Sequence, residues 1–281
     1  SPSTWLSATA NGRCDWSNAY GTICTPRLSL LARPTSTVSA RLSAGSGWFS
    51  PTPLTDETET FALSLVRIPQ PLEAERGRTA SFDLTATHGP LQLNGTLFAN
   101  QVTNAVGPRG VVGDTLGVVD LINASGPLTT HGGEVFAVFN QEPVIATAYY
   151  ALTRSRETST ETARLRELPL TPREAAGIDF ALDDDESGAY GAIELYYTGR
   201  QALEDNQYAS ISTPYTTIGI LLSDRWRAAT VFLNGENLTN VRQTNYQPLV
   251  RTHAGEGGRW TVDPWAPLEG RRINVGVRWQ W

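Results

Sequence analysis

GRRINVGVRWQW, the stretch Gly270–Trp281, alternates without interruption from Ile273 onward. Ile273, Val275, Val277, Trp279 and Trp281 fall on one side of an extended chain, and Arg272, Asn274, Gly276, Arg278 and Gln280 fall on the other. The cause is the two-residue period of a strand, in which successive side chains point to opposite faces. Two kinds of wall have this pattern. In a soluble sandwich the apolar face meets a second sheet. In a membrane wall it meets lipid, and the polar face meets a wet lumen. An arginine at mid-bilayer on the lipid face costs about 2–4 kcal/mol, so there Arg272 and Arg278 face the lumen or lie near an interface. This strand alone leaves both readings open.

Working outward, the same alternation recurs along the chain. Thr37–Gly45 sets Val38, Ala40, Leu42 and Ala44 against Ser39, Arg41 and Ser43. Arg78–Thr87 sets Ala80, Phe82, Leu84 and Ala86 against Ser81, Asp83 and Thr85, and after His88-Gly89-Pro90 the run Leu91–Gln101 returns with Leu91, Leu93 and Leu97 opposite Asn94 and Thr96. A strand ending Glu134–Phe139 turns at Asn140–Pro143 into Val144–Thr153. Glu174–Asp183 places Ile178, Phe180 and Leu182 opposite Asp179 and Asp183; an acidic turn, Asp184–Gly188, leads to Ala189–Gly199, where Ile193 and Leu195 oppose Glu194. After the stretch Arg200–Ala209 comes the strand Tyr215–Ser223, then a tight turn at Asp224-Arg225 and the strand Ala228–Asn237. Weaker strands open the chain at Thr4–Gly12 and Arg27–Arg33. Buried Asp83 and Asn94 would be costly in a dry core without partners, whereas a wet lumen solvates them.

The tally is about twelve strands of roughly ten residues, the length that crosses a bilayer when tilted. Short turns alternate with loops such as Ser46–Ala74 and Leu238–Glu269. That loop profile belongs to an all-β, antiparallel, up-and-down transmembrane β-barrel, and Greek-key sandwiches lack it. Arg154–Leu168 carries no apolar stripe and reads as a solvated loop. The mean hydropathy of −0.26 does not argue against a membrane, because barrels hide their apolar residues in alternate positions.

Composition narrows the partners. A formal net charge of −6, with no basic stripe, argues against a nucleic-acid partner. His88, His131 and His253 are scattered and make no metal-ligand spacing, and no cofactor motif is present. No nucleophile elbow or oriented base marks an enzyme. Cys14 and Cys24, in a polar loop, read either as a disulfide made outside the cytoplasm or as two free thiols. No signal peptide appears at Ser1.

Five stretches in order, GSGWFSPTPLTDETE (Gly45–Glu59), ERGRTASFDLTATHGPLQLNGTLFANQV (Glu75–Val102), LPLTPREAAGIDF (Leu168–Phe180), VFLNGENLTN (Val231–Asn240) and LEGRRINVGVRWQW (Leu268–Trp281), resemble the C-terminal half of the barrel of TonB-dependent receptors. The resemblance implies a bacterial outer-membrane location and a barrel of about 22 strands around an N-terminal plug. Residues 1–281 would then supply the last twelve strands. The plug, the segment contacting a TonB-type energy-coupling protein and the other barrel half would be missing from this chain. The terminal strand would be read by the barrel-assembly machinery, with Trp281 where the family usually ends in Phe.

In such receptors, outer loops bind a scarce nutrient, most often a ferric siderophore or similar metal chelate. The loop aromatics and arginines that match this role are Trp16, Tyr20, Trp48, Phe49, Arg109, Tyr208, Tyr246, Arg251 and Trp260. Arg41, Asp83, Asp179, Glu194, Arg272 and Arg278 are expected to face the lumen. The alternative is a twelve-stranded barrel closing on itself as a passive pore or surface-binding protein. An open half in lipid would leave unsatisfied strand edges.

Overall fold

A computed structural model describes residues 5–51, 66–110, 118–184, 187–255 and 259–279. Trp281, with its expected assembly role, and Asp185 and Glu186 of the acidic turn lie outside the described residues. One long antiparallel sheet dominates. Its strands are β1 (Leu6–Ser17), β2 (Gly21–Ala32), β3 (Val38–Phe49), β5 (Glu75–His88), β6 (Leu91–Thr103), β9 (Leu128–Gln141), β10 (Val144–Thr158), β12 (Glu174–Asp184), β13 (Ala189–Thr198), β14 (Tyr215–Trp226), β15 (Ala229–Glu236) and β16 (Arg272–Trp279), each paired with the next in that order. The path therefore holds twelve strands, running up and down as the alternation requires. The remaining strands are short and belong to the loops: β4 (Val66–Arg67), β7 (Val106–Gly110) and β8 (Val119–Asn123) form a separate three-stranded sheet, and β11 (Leu165–Glu167) pairs with β10.

Register joins the strand faces into two continuous surfaces. Residues directly opposite in an antiparallel pair share a face. On one surface Leu30 lies opposite Leu42, Leu42 opposite Phe82, and Phe82 opposite Leu97. Farther along, Ile178 lies opposite Leu195, Leu222 opposite Leu233, and Leu233 opposite Val275. No second sheet covers this surface among the described residues, and Leu97, Val135, Ile178 and Val275 remain exposed. A soluble sandwich would bury them. The other surface is wet and carries Arg41 opposite Asp83, Asp83 opposite Thr96, and Asp179 opposite both Thr147 and Glu194.

The buried apolar residues lie mostly outside the sheet. Val119 and Leu121 are sealed in the small loop sheet, and Val241, Val262 and Trp265 in the segment between β15 and β16. The packed core thus lies in the long loops, which gather at one rim of the wall.

Four local expectations need correction. Cys14 and Cys24 are cross-strand partners in the β1–β2 hairpin and are not in a loop. β3 runs on to Phe49, past the expected loop start at Ser46. Arg154–Thr158 continues β10, where Arg156 still pairs with Thr129. The β14–β15 turn falls at Arg227-Ala228, because β14 pairs through Trp226. In each case the ladder of backbone hydrogen bonds outlasts the apolar alternation.

Candidate functional site

The loop rim is built on β15 and β16. Asn237 and Asn240, the two asparagines of the NLTN stretch, adopt left-handed backbone angles, φ 47° and 56°, a region asparagine tolerates better than most residues. From there Asn237 Nδ2 donates to the carbonyls of Val241 (2.7 Å) and Glu269 (3.1 Å). Asn240 Oδ1 accepts from Arg271 N at 3.1 Å, and the Arg271 guanidinium donates to the Leu238 carbonyl at 2.6 and 3.0 Å. The two sequence motifs, NLTN and GR, are thus the two ends of one loop tied together.

Inside that loop Gln243 is fully buried, at 0% exposure. Its Nε2 donates to the Asp263 carbonyl at 2.9 Å, and its Oε1 accepts from Trp265 N at 2.8 Å. Trp265 packs against Tyr246 and Tyr215, with ring centroids 5.4 and 6.4 Å away. Gln201, on the β13–β14 loop, donates to the Trp265 carbonyl at 3.1 Å. Arg251, 7% exposed, is paired with Asp205 at 2.8 Å. The β13–β14 and β15–β16 loops therefore form one packed body.

A cavity of about 360 Å³ opens between this body, the β7–β8 sheet and the end of β10. Charged groups line it: Glu157, Glu161, Arg166, Glu204, Arg259 and Asp263. Arg166 bridges Glu157 at 2.7 Å and Glu204 at 2.6 Å, and Arg259 pairs with Asp263. Glu157 lies beyond Leu152, the last apolar residue on the outer face of β10, and so outside the membrane span. Burial pushes its carboxyl above the usual range, against the opposing pull of Arg166. Behind the rim, Glu167 is held below the usual range by the hydrogen-bonded Arg173 guanidinium. The lining supplies carboxylates, guanidinium groups and backbone, which suits a polar solute held by several hydrogen bonds.

The expected loop residues divide among three places. Tyr20 and Trp48 meet edge to face at 6.1 Å, and Trp48 Nε1 donates to Asp15 Oδ2 at 3.0 Å. Trp16, 77% exposed, and exposed Phe49 end their strands nearby in the fold. Tyr208 donates to the Val250 carbonyl at 2.6 Å, and Arg251 N donates to the Trp260 carbonyl, so these three residues and Tyr246 belong to the terminal loop body. Arg109 stands apart in β7, 3.6 Å from Asp120. Arg251 is buried in its ion pair and presents no free guanidinium to a solute. Sequence reasoning missed Gln243, Trp265 and the Glu157–Arg166–Glu204 bridge, whose partners are distant in sequence and have no period.

Arg41, Asp83, Asp179, Glu194, Arg272 and Arg278 lie on the polar face of the sheet, opposite the apolar surface. Asp83 accepts from Thr96 at 3.0 Å and Ser81 at 3.3 Å, and Asp179 from Tyr196 at 2.6 Å and Thr147 at 2.9 Å. Arg272 is paired with Glu236 and Glu269, and Arg278 lies opposite Thr230. Cys14 and Cys24 form a disulfide that staples the β1–β2 ribbon. No metal-binding group of three or more ligands occurs among the described residues.

The family described as TonB dependent receptor-like, beta-barrel matches residues 2–238. No curated protein matches. Among solved structures the chain is similar to the FrpB iron transporter from Neisseria meningitidis (16% identity, TM-score 0.66, 92% of this chain and 39% of that one). It is similar also to the ferric enterobactin receptor PfeA from Pseudomonas aeruginosa (14%, TM-score 0.72, 98% and 43%) and the siderophore receptor PirA from Acinetobacter baumannii (12%, TM-score 0.70, 99% and 44%). At these identities the likeness concerns the fold. The chain spans less than half the length of each.

Proposed function

The chain belongs to the TonB-dependent receptor-like β-barrel family, and from that premise we propose that it is the C-terminal part of an outer-membrane receptor for energy-coupled uptake of a scarce nutrient. A ferric siderophore is the solute class we assign. The observation that carries the reading is the cavity of about 360 Å³ at the mouth of a two-faced wall, where three loops bring charged side chains together over the wet surface and the β6–β9 loop closes one side. A solute held there has the lumen directly beneath it. The plug and the remaining strands belong, on this reading, to another part of the same protein, and a TonB-type protein acts through the plug.

Two measurements test it. Uptake of iron-loaded siderophores by cells producing the complete receptor should stop when the proton-motive force is collapsed; uptake that ignores the collapse refutes energy coupling. Residues 1–281 alone, refolded in detergent, should give no compact band that shifts on boiling. A compact band would show a self-closing barrel and favour a pore. The open edges of β1 and β16 would otherwise lead to aggregation.

A further inference from the structure

The outer surface carries a second group of charged residues. Just beyond the apolar belt, Arg154 and Arg156 continue the outward-facing positions of β10 after Tyr150 and Leu152. Register places His131 opposite Arg154, Thr129 opposite Arg156, and Glu167 opposite Arg156. With Leu165 and Arg173 these residues line a groove of about 990 Å³. Glu167 is engaged by Arg173 at 2.6 and 2.7 Å. Arg156 makes no ion pair among the described residues, and Arg154 donates only to the backbone carbonyls of Thr153 and Arg173. The outward row continues through Gln101 to Arg78 on β5, also without an ion pair among the described residues. Positive charge thus stands directly above the lipid-facing surface, on the loop side, facing away from the lumen.

We propose that this groove binds the phosphate of an anionic lipid headgroup in the outer leaflet. Guanidinium forks match phosphate oxygens in geometry and charge, and basic residues at a membrane surface attract anionic headgroups. The acyl chains of such a lipid would lie along Leu152 and Tyr150 while its phosphate met Arg154 and Arg156. Arg166 reaches both this groove and the mouth cavity, whereas Arg154 and Arg156 line the groove and not the cavity. The proposal rests on the barrel reading.

The test uses the complete receptor folded in detergent micelles and native mass spectrometry at fixed salt, with lipid A as the probe. Diphosphorylated lipid A should remain bound, and dephosphorylated lipid A should not. Arg154→Gln with Arg156→Gln should weaken retention about thirtyfold, while Arg225→Gln, at the opposite rim, should not change it. Equal retention of dephosphorylated lipid overturns the proposal, as does equal binding of free inorganic phosphate or wild-type retention by the double variant. The dephosphorylated arm needs no variant and decides the point even where the double variant fails to fold. A wild-type receptor without a heat-modifiable band would overturn the barrel reading, and this proposal with it.

Discussion

Replacing Gln243 with Leu should melt the terminal loop and leave the barrel wall intact. Leucine nearly conserves volume, so the cavity contribution is small. The hydrogen-bonding loss is not small: Trp265 N–H and the Asp263 carbonyl each lose the partner that Gln243 now supplies at 2.8 and 2.9 Å. A buried group left without a partner costs about 1–3 kcal/mol, giving about 2–6 kcal/mol for the pair. Local opening of the loop should therefore become at least about thirtyfold more frequent. Hydrogen exchange read by mass spectrometry should show faster exchange in peptides covering 243–267, with β14, β15 and β16 unchanged because their ladders do not involve Gln243. Asn245→Ala is the control, since its single bond to the Asn240 carbonyl is solvent-exposed. Binding of solute should fall with loop protection, because Arg259 and Asp263 reach the cavity from this loop. Unchanged exchange in the Leu variant would refute the claim that Gln243 organises the loop.

Three further outcomes follow from the same structure. Val275→Arg places a charge on the lipid face at a cost of about 2–4 kcal/mol and should impair folding in lipid, whereas Asn274→Arg on the wet face should be tolerated; the reverse order, read by folded yield in vesicles, would invert the facing. Glu157 and Glu167 should titrate in opposite directions from the ordinary glutamate value, so on acidification Glu157 takes its proton first. The stability that Glu167 contributes is present above its unfolded value and lost as pH falls through its lowered folded value; carboxyl NMR showing Glu167 protonating first would sink the assignment. Gly177→Val puts a Cβ into the rings of Tyr149 and Tyr196, which should cost about 1–3 kcal/mol and displace Tyr196 from Asp179; unchanged heat-modifiable mobility and unchanged tyrosine fluorescence would show that the rings have room.

Strand facing was legible in the sequence because the wall separates two solvents. Leu42, Phe82 and Leu97 repeat every second residue for a reason that acts at every position of the belt, namely exclusion of charge from lipid. Where the belt ends, that reason ends. In the β1–β2 ribbon around Cys14 and Cys24 and along Arg154–Thr158 the alternation of apolar and polar residues lapses, so their pairing leaves no hydrophobic period to read. The β14–β15 turn was misplaced by the same logic, since Ser223, Asp224 and Arg225 are polar rim positions that still belong to the ladder. The loop body was legible only in part. NLTN and the terminal GR stood out as motifs, but that each ties down the other depends on contacts 31 to 33 residues apart, and the Arg251–Asp205 pair spans 46. No local period records such pairs.

Above the belt the alternation of β10 changes what it encodes. Along Arg154-Ser155-Arg156-Glu157 the outward positions are both arginine, while the inward ones are Ser155, bonded to Thr130, and Glu157, bridged to Arg166. The strand has exchanged apolar against polar for cationic against neutral or anionic at the same two-residue period. On β10 itself the two faces therefore differ in sign, cationic outward and anionic inward, and its partner β11 carries the opposite signs, Glu167 opposite Arg156 and Arg166 opposite Glu157. Hydropathy cannot register this difference, because arginine and glutamate score alike, but the sign of the charge can. The consequence is specific. Exchanging Arg156 and Glu157 conserves composition and net charge, yet it should abolish both surfaces together by placing a carboxylate among the outward arginines and a guanidinium beside Arg166. Loss of lipid retention and of solute binding in that single variant, with heat-modifiable mobility intact, would show that facing alone assigns the two roles; retention of either would show that the two surfaces are not set by this strand.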